Sequence, residues 1–282
     1  MSTLATTTPA DGAAARPGRG RALAGWLRQR VGALVVFAVL FLLWEFAVHL
    51  FGIKEYLLPP PSKVWTEFLK RYTVVMPSTW VTLQEIIAGY LLAVVVSVPM
   101  ALAVARSPFI ERAIYPVIVF LQIIPKIAIA PLFIIWFGFG FTPKLLLVFL
   151  LSFFPIVVSS LAGFKSADRD VMDFARTTGA SSGRLFFSIQ LPQALPQIFT
   201  GLKVGAALAA TAAVVAEFVA SDKGLGYLLL QYNGNIDTPM VFATIVLLSL
   251  LGLAVYYAVE IVERIAIPWH VSQQQATTDT TL

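Results

Sequence analysis

The chain has 282 residues, 58% hydrophobic and 12% charged, with a formal net charge of +5 and a mean hydropathy of +0.82. Soluble domains carry about 25% charged residues, so an ordinary globular protein is excluded and the fold class is an all-α polytopic membrane protein. The absence of cysteine excludes disulfide frameworks, thiolate metal sites and thiol catalysis.

In chain order, residues 1–22 are rich in Thr, Ala, Gly, Pro and Arg without an apolar period, which predicts a mobile cytoplasmic tail. Six apolar windows follow, near 31–51, 79–105, 113–137, 144–163, 196–217 and 239–262. Each approaches or exceeds the ~20 residues that cross a bilayer as a helix. Their continuous apolar runs, without period-two alternation, exclude a membrane barrel. The first is read as a retained anchor, because its apolar stretch is too long for a signal peptide and no small-residue cleavage site follows. These elements make residues 23–268 the membrane domain, with an insert at 164–195 and a cytoplasmic tail at 269–282.

Between the first two spans, Ser62 reads as the N-cap of a short surface helix with Val64, Trp65, Phe68, Leu69 and Tyr72 on one face. In the third span Pro125 predicts a kink that frees a backbone carbonyl, beside Gln122 and Lys126. Lys126 would either attract an anionic solute or take a structural partner such as Glu85, since charge inside a span faces protein or water. In the fifth span Gly201, Gly205, Ala209 and Ala213 recur every four residues, which suits close helix packing or the lining of a narrow pathway. Lys203 lies off that stripe, within snorkelling reach of the cytoplasmic end.

The insert is the polar exception in an apolar chain. Ser166, Asp168 and Asp170 suit a helix start, Gly179 suits a turn with positive φ, and Ser181 or Ser182 suits the cap of a second helix. Leu185, Phe186 and Ile189 would give that helix its apolar cover and Pro192 would stop it. The expected product is a compact two-helix knob, stiff enough to transmit a push. Basic residues flank the spans on the insert side (Arg16, Arg19, Arg21, Arg28, Arg30, Arg106, Arg112, Lys165, Arg169, Arg176, Arg184, Arg264). The other side holds Lys54, Lys63, Lys70, Arg71, Lys144 and Lys223, so both termini and the insert are expected in the cytoplasm. This scatter along membrane flanks argues against nucleic acid as a partner.

The insert also resembles the "EAA…G…I.LP" loop of permease subunits of ATP-binding-cassette importers. Asp173 stands for the leading Glu, Ala175 for the second Ala, and Gly179, Ile189, Leu191 and Pro192 fall in register, while Phe174 departs from the first Ala. Leu57-Leu-Pro-Pro-Pro-Ser62, Gln122-Ile-Ile-Pro-Lys126, Pro131 through Gly140, and Glu217 through Leu230 are similar to the nitrate, sulfonate and taurine branch. The resemblance implies a bacterial inner-membrane protein working as a homodimer. Its partners would be two cytoplasmic ATPase subunits, gripped through the insert, and an extracytoplasmic solute-binding protein. It implies that Glu217, Asp222, Gly224 and Gly226 form an outer gate and binding-protein contact. ATP and magnesium would sit on the partner, since the chain has no Gly-x-x-x-x-Gly-Lys-[Ser/Thr] loop. The branch carries nitrate, bicarbonate, sulfonates, taurine, thiamine pyrimidine precursors, riboflavin and aromatic carboxylates.

Two other classes compete. An ion-driven secondary transporter would need an embedded carboxylate relay, for which only Glu45 and Glu85 stand as candidates, at different depths. An integral-membrane enzyme would show clustered Asp, His or Ser near one interface. His49 and His270 fall at opposite faces of a six-span topology, and no His-Glu-x-x-His occurs, so neither catalytic nor metal residues are expected.

Overall fold

The computed structural model describes residues 19–269, with side chains from residue 35 onward except those of Arg169 and Ala220. The expected tails lie outside the described residues, apart from residues 19–22, which open α1, and Trp269. Among the described residues every regular element is helical.

α1 (Arg19–Leu50) runs beside the bundle, and α2 (Pro61–Arg106) enters it. α3 (Pro108–Ile123) and α4 (Ala130–Phe137) flank a tight 3-10 turn at Lys126–Ile129. α5 (Phe141–Lys165) leads to the insert, made of α6 (Arg169–Thr177), α7 (Ser182–Leu185) and a π-helical turn at Phe186–Gln190. α8 (Leu191–Ala220), α9 (Leu225–Gly234) and α10 (Thr238–Ala266) complete the chain. The core is the three-helix wall of α2, α5 and α8, with α10 laid against α8 and α2.

Small residues set the spacing of that wall. The stripe foreseen on the fifth span faces α5: a methyl on Gly201 would lie 2.6 Å from Ser159 Cβ, and one on Gly205 2.8 Å from Ile156 Cγ1. Ser152 Oγ donates to the Gly205 carbonyl at 3.1 Å, so the seam carries a polar tie as well as van der Waals contact. Gly163 and Gly89 make the same approach elsewhere, Gly163 against the Ala194 carbonyl and Gly89 against Val148.

Not all of the six expected crossings are single long helices among the described residues. Among the described residues four helices are long and apolar enough to cross a bilayer, α2, α5, α10 and the helix Ser182–Val219, with α3 and α4 together as a fifth where the bent pair counts as one span. The third expected span is not a kinked rod but two helices set at 84°. Pro125 has no N–H to continue the ladder, and Ile124 turns extended at ψ 131°.

The surface helix expected after residue 62 is fused to the second span, bending at Arg71, whose φ of −119° and ψ of 17° leave the helical region. Ser62 does not cap it. The cap position is Pro60, and Ser62 gives its N–H and hydroxyl to Glu45 at 3.0 and 2.7 Å, which ties α1 to α2. At the bend, the Arg71 guanidinium pairs with Asp237 and lies 3.6 Å from Glu67, which anchors α2 to the start of α10.

Because the Ala194 carbonyl belongs to backbone that cannot swing aside, Gly163→Leu is expected to cost about 1–3 kcal/mol. Thermal unfolding in detergent micelles reads this as a lowered midpoint; an unchanged midpoint would contradict so close an α5–α8 approach.

Candidate functional site

Three groups of sequence-singled residues occupy three separate places: the insert, the α3–α4 break, and the end of α8 next to α9. α8 has 30 residues, so at 1.5 Å per residue it sets the insert and the α9 end about 45 Å apart.

The insert folds as a knob with a fixed root. Asp168 caps α6 by accepting from Asp170 N at 2.9 Å. Gly179 ends it at φ +80°, with Ala180 N bonded to Ala175 O and Gly179 N to Arg176 O, the paired pattern of a left-handed helix stop. Ser181, of the two serines considered, caps α7. Pro192 does not stop the second helix. It lies directly after the π-helical turn, where the ladder is already locally rearranged, and α7 passes through that turn into α8 without a break.

Sequence reasoning did not single out what holds the root. Gln190 Nε2 donates to the Phe164 carbonyl at 3.0 Å, and the Phe164 and Phe186 rings stack at 6.4 Å. Arg106 lies 4.8 Å over the Phe186 ring. Glutamine two residues ahead of a Pro is too common a pattern to have carried this. Asp173 is exposed and pairs with Arg176 at 2.8 Å, while Ala175, Ile189 and Leu191 are half-buried. Phe174 is 71% exposed, and Val171 and Phe187 are also open, apolar side chains on the most polar part of the chain.

At the break, Lys126 Nζ donates to the Gln122 carbonyl at 2.7 Å, the kind of acceptor that an interrupted helix leaves without a partner, and lies 4.8 Å over the Phe154 ring. Lys126 is therefore not paired with Glu85. The Gln122 side chain is exposed and that of Lys126 half-buried. Gly205 and Ala209 are apart from both, buried in the α5–α8 seam, and line no opening in this conformation. Lys203 reaches Glu263 of α10 at 2.7 Å rather than water.

The α9 end holds a buried polar cluster. Glu217 is 1% exposed. It accepts from Thr82 Oγ1 at 2.6 Å and from the Gly226 N–H. Thr82 Oγ1 accepts in turn from Leu225 N at 2.8 Å. Glu85 forms an ion pair with Lys144, whose Nζ also donates to Ser221 Oγ at 3.0 Å. Gly224, at φ +105°, packs against the Glu217 carboxyl so closely that a Cβ would collide with it. Asp222 is exposed and outside the cluster. Lys144, counted above among the loop charges, is thus a buried residue of α5. The sequence signal was present: a lone basic residue at the head of an apolar run, with an acid inside the second span. Among the described residues no three His, Cys, Asp or Glu side chains are grouped to hold a metal ion.

Removing one member of a buried ion pair leaves the other charge without compensation, at about 3–5 kcal/mol. Lys144→Met is expected to lose that much, and the double variant Lys144→Met/Glu85→Leu to recover most of it, by unfolding midpoints in detergent. A single variant as stable as the double would refute the pairing.

The chain is 34% identical over 249 residues to a formylaminopyrimidine transport permease of Halalkalibacterium halodurans, covering 87% of this chain and 98% of that one. It is 30% identical over 253 residues to the taurine transport system permease of Escherichia coli, covering 86% and 91%. Among solved structures, a chain of an inward-facing MetNI methionine ABC transporter superposes with a TM-score of 0.61 at 16% identity, covering 70% of this chain and 97% of that one. Residues 64–266 match the family model of the binding-protein-dependent transport system inner membrane component, and the chain belongs to that family.

Proposed function

We propose that the chain is the membrane-spanning half of an ATP-driven importer, and that its knob is the joint to a separate ATPase. The observation that carries this reading is the knob itself: a rigid root locked to α5 and α2, open apolar side chains, and a helical path into α8 without a break. Apolar side chains left open on a polar projection call for a protein partner, and a stiff arm transmits displacement where a loop would absorb it. Asp173, Ala175, Gly179, Ile189, Leu191 and Pro192 shape the arm, and Phe174 and Phe187 offer the contact.

In this reading the knob end faces the cytoplasm and the α9 end faces outward. A second copy of the chain covers the α3–α4 break, because non-helical backbone at membrane depth is tolerated only against protein or a water-filled path. Gln122 and Lys126 line that path, while Gly205 and Ala209 keep the α5–α8 wall in one piece as it moves. Glu217, Gly224 and Gly226 govern the outward end, where a solute-binding protein delivers cargo and Asp222 is accessible to it. ATP binding closes the ATPase pair and turns the walls from inward-open to outward-open, and hydrolysis resets them. Differential affinity of the two states for solute, not chemistry on it, accomplishes transport. The names of the relatives point to a small polar organic solute.

The test is purification of the tagged chain from its native membranes. A phosphate-loop ATPase is expected to accompany it, and Phe174→Ala is expected to weaken that association by about 30-fold, as removal of a contact hot spot of about 2 kcal/mol would. A chain that purifies without an ATPase, or a Phe174→Ala variant that holds it as tightly as before, would overturn the proposal.

A further inference from the structure

α8 turns its small residues to α5 and keeps another face beside α10. Ala207 and Thr211 stand about 200° round the helix from Gly205 and Ala209. With Val215 they line a cavity of about 500 Å³ whose α10 side carries Ser249, Gly252 and Tyr256. The two helices nearly touch at Gly252, where an added methyl would lie 3.0 Å from Ala210 Cβ. Val215 also packs on the cluster of Ala130, Leu147 and Ala216, so the cavity adjoins the start of α4 and the break beside Lys126.

Hydroxyl groups set this cavity apart. Thr200 earlier in α8 and Thr244 in α10 return their hydroxyls to the carbonyl four residues back, and Thr211 does not. Among the described residues neither the Thr211 nor the Tyr256 hydroxyl has a hydrogen-bond partner. Ser249 donates to its own Ile245 carbonyl at 2.9 Å and keeps its oxygen lone pairs for another donor. Such groups are costly to leave against hydrocarbon, which offers them nothing. A second cavity, about 450 Å³ between α2, α8 and α10, shows the contrast: its lining is apolar, and the Tyr90 hydroxyl there donates to the Leu202 carbonyl at 3.0 Å.

We propose that the cavity between α8 and α10 is a binding site for a small uncharged organic solute, held through the hydroxyls of Thr211 and Tyr256 and the oxygen of Ser249. No acidic or basic side chain lines it, so a charged guest would give up its hydration without meeting a counter-charge. A guest with both hydrogen-bond donors and acceptors satisfies the three oxygens, and the volume falls in the range of small-molecule sites, about 300–1,000 Å³. The inference rests on the permease reading and narrows its solute to the uncharged class.

Because the chain has no cysteine, Ala207→Cys places a single thiol in this cavity and Leu91→Cys a single thiol in the apolar one. Each full-length variant, with whatever subunits co-purify, is reconstituted in lipid vesicles without nucleotide and treated with iodoacetamide. The reagent attacks the thiolate and so reports contact with water. Alkylation is expected in Ala207→Cys and not in Leu91→Cys. The probes are formylaminopyrimidine, uncharged, and taurine, a zwitterion, the solutes named for two of the relatives. Formylaminopyrimidine is expected to protect Ala207→Cys and taurine to leave its rate unchanged. Adding Thr211→Val or Tyr256→Phe to Ala207→Cys should raise the half-protecting concentration about 10-fold, as loss of one hydrogen bond would, and either variant decides the question if the other fails to insert. A thiol in Ala207→Cys as inert as that in Leu91→Cys means that lipid or a second copy covers the groove, which overturns the site. So do absent protection, equal protection by taurine, and protection that both hydroxyl variants leave unchanged. Protection in a chain that purifies without an ATPase would keep the site and sink the permease reading alone.

Discussion

The contact between α5 and α8 is the constraint on which the remaining geometry hangs. Backbones that approach so closely have no room for independent sliding, and Ser152 fixes their register through the Gly205 carbonyl. The insert joins the near ends of these two helices, and the buried cluster lies where Lys144 begins one and Glu217 nears the end of the other. A single stiff wall thus has a handle at one end and a charged clasp at the other. In a bilayer, where the hydrophobic effect does not hold helices together, this dependence on small residues and a few interior polar ties is expected.

Charge is placed in this protein by partner rather than by depth. Glu45 leaves α1 to meet Ser62, Glu85 meets Lys144, Lys203 meets Glu263, and Lys165 meets Glu111. Each pair joins two different helices, so charges within and beside the apolar windows are also the struts between them. Lys126 and Glu260 depart from this, Lys126 with a carbonyl in its own broken helix and an aromatic face, and Glu260 with Arg264 one turn along α10.

Much of this was legible in the sequence because membrane segments and turn chemistry are local properties. The four long crossings, the caps at Asp168 and Ser181 and the positive φ of Gly179 all follow from residues within a few positions of the feature. The misjudged features are those in which a distant residue decides. Ser62 suits an N-cap as well as any serine does, but Glu45, 17 residues earlier, takes both of its donors. Pro192 looks like a stop, yet the helix runs past it by way of the π-helical turn that precedes it. Lys144 looks like a loop charge until α2 brings Glu85 to it. The break after Gln122 was expected at the right residue and underestimated in angle, because Pro125 specifies that the ladder ends there and not how far the chain then turns.

The passage from α7 through the π-helical turn at Phe186–Gln190 into α8 sets an angular relation as well as a mechanical one. Each residue of an α-helix advances the face by about 100°, so the direction in which Phe174 and Phe187 project is phased to the face that α8 turns toward α5. One residue more or fewer in that turn would leave both ends intact and aim them at the wrong neighbours. The length of this stretch, together with the Phe186 and Gln190 side chains that seat it, therefore sets the aim of the knob.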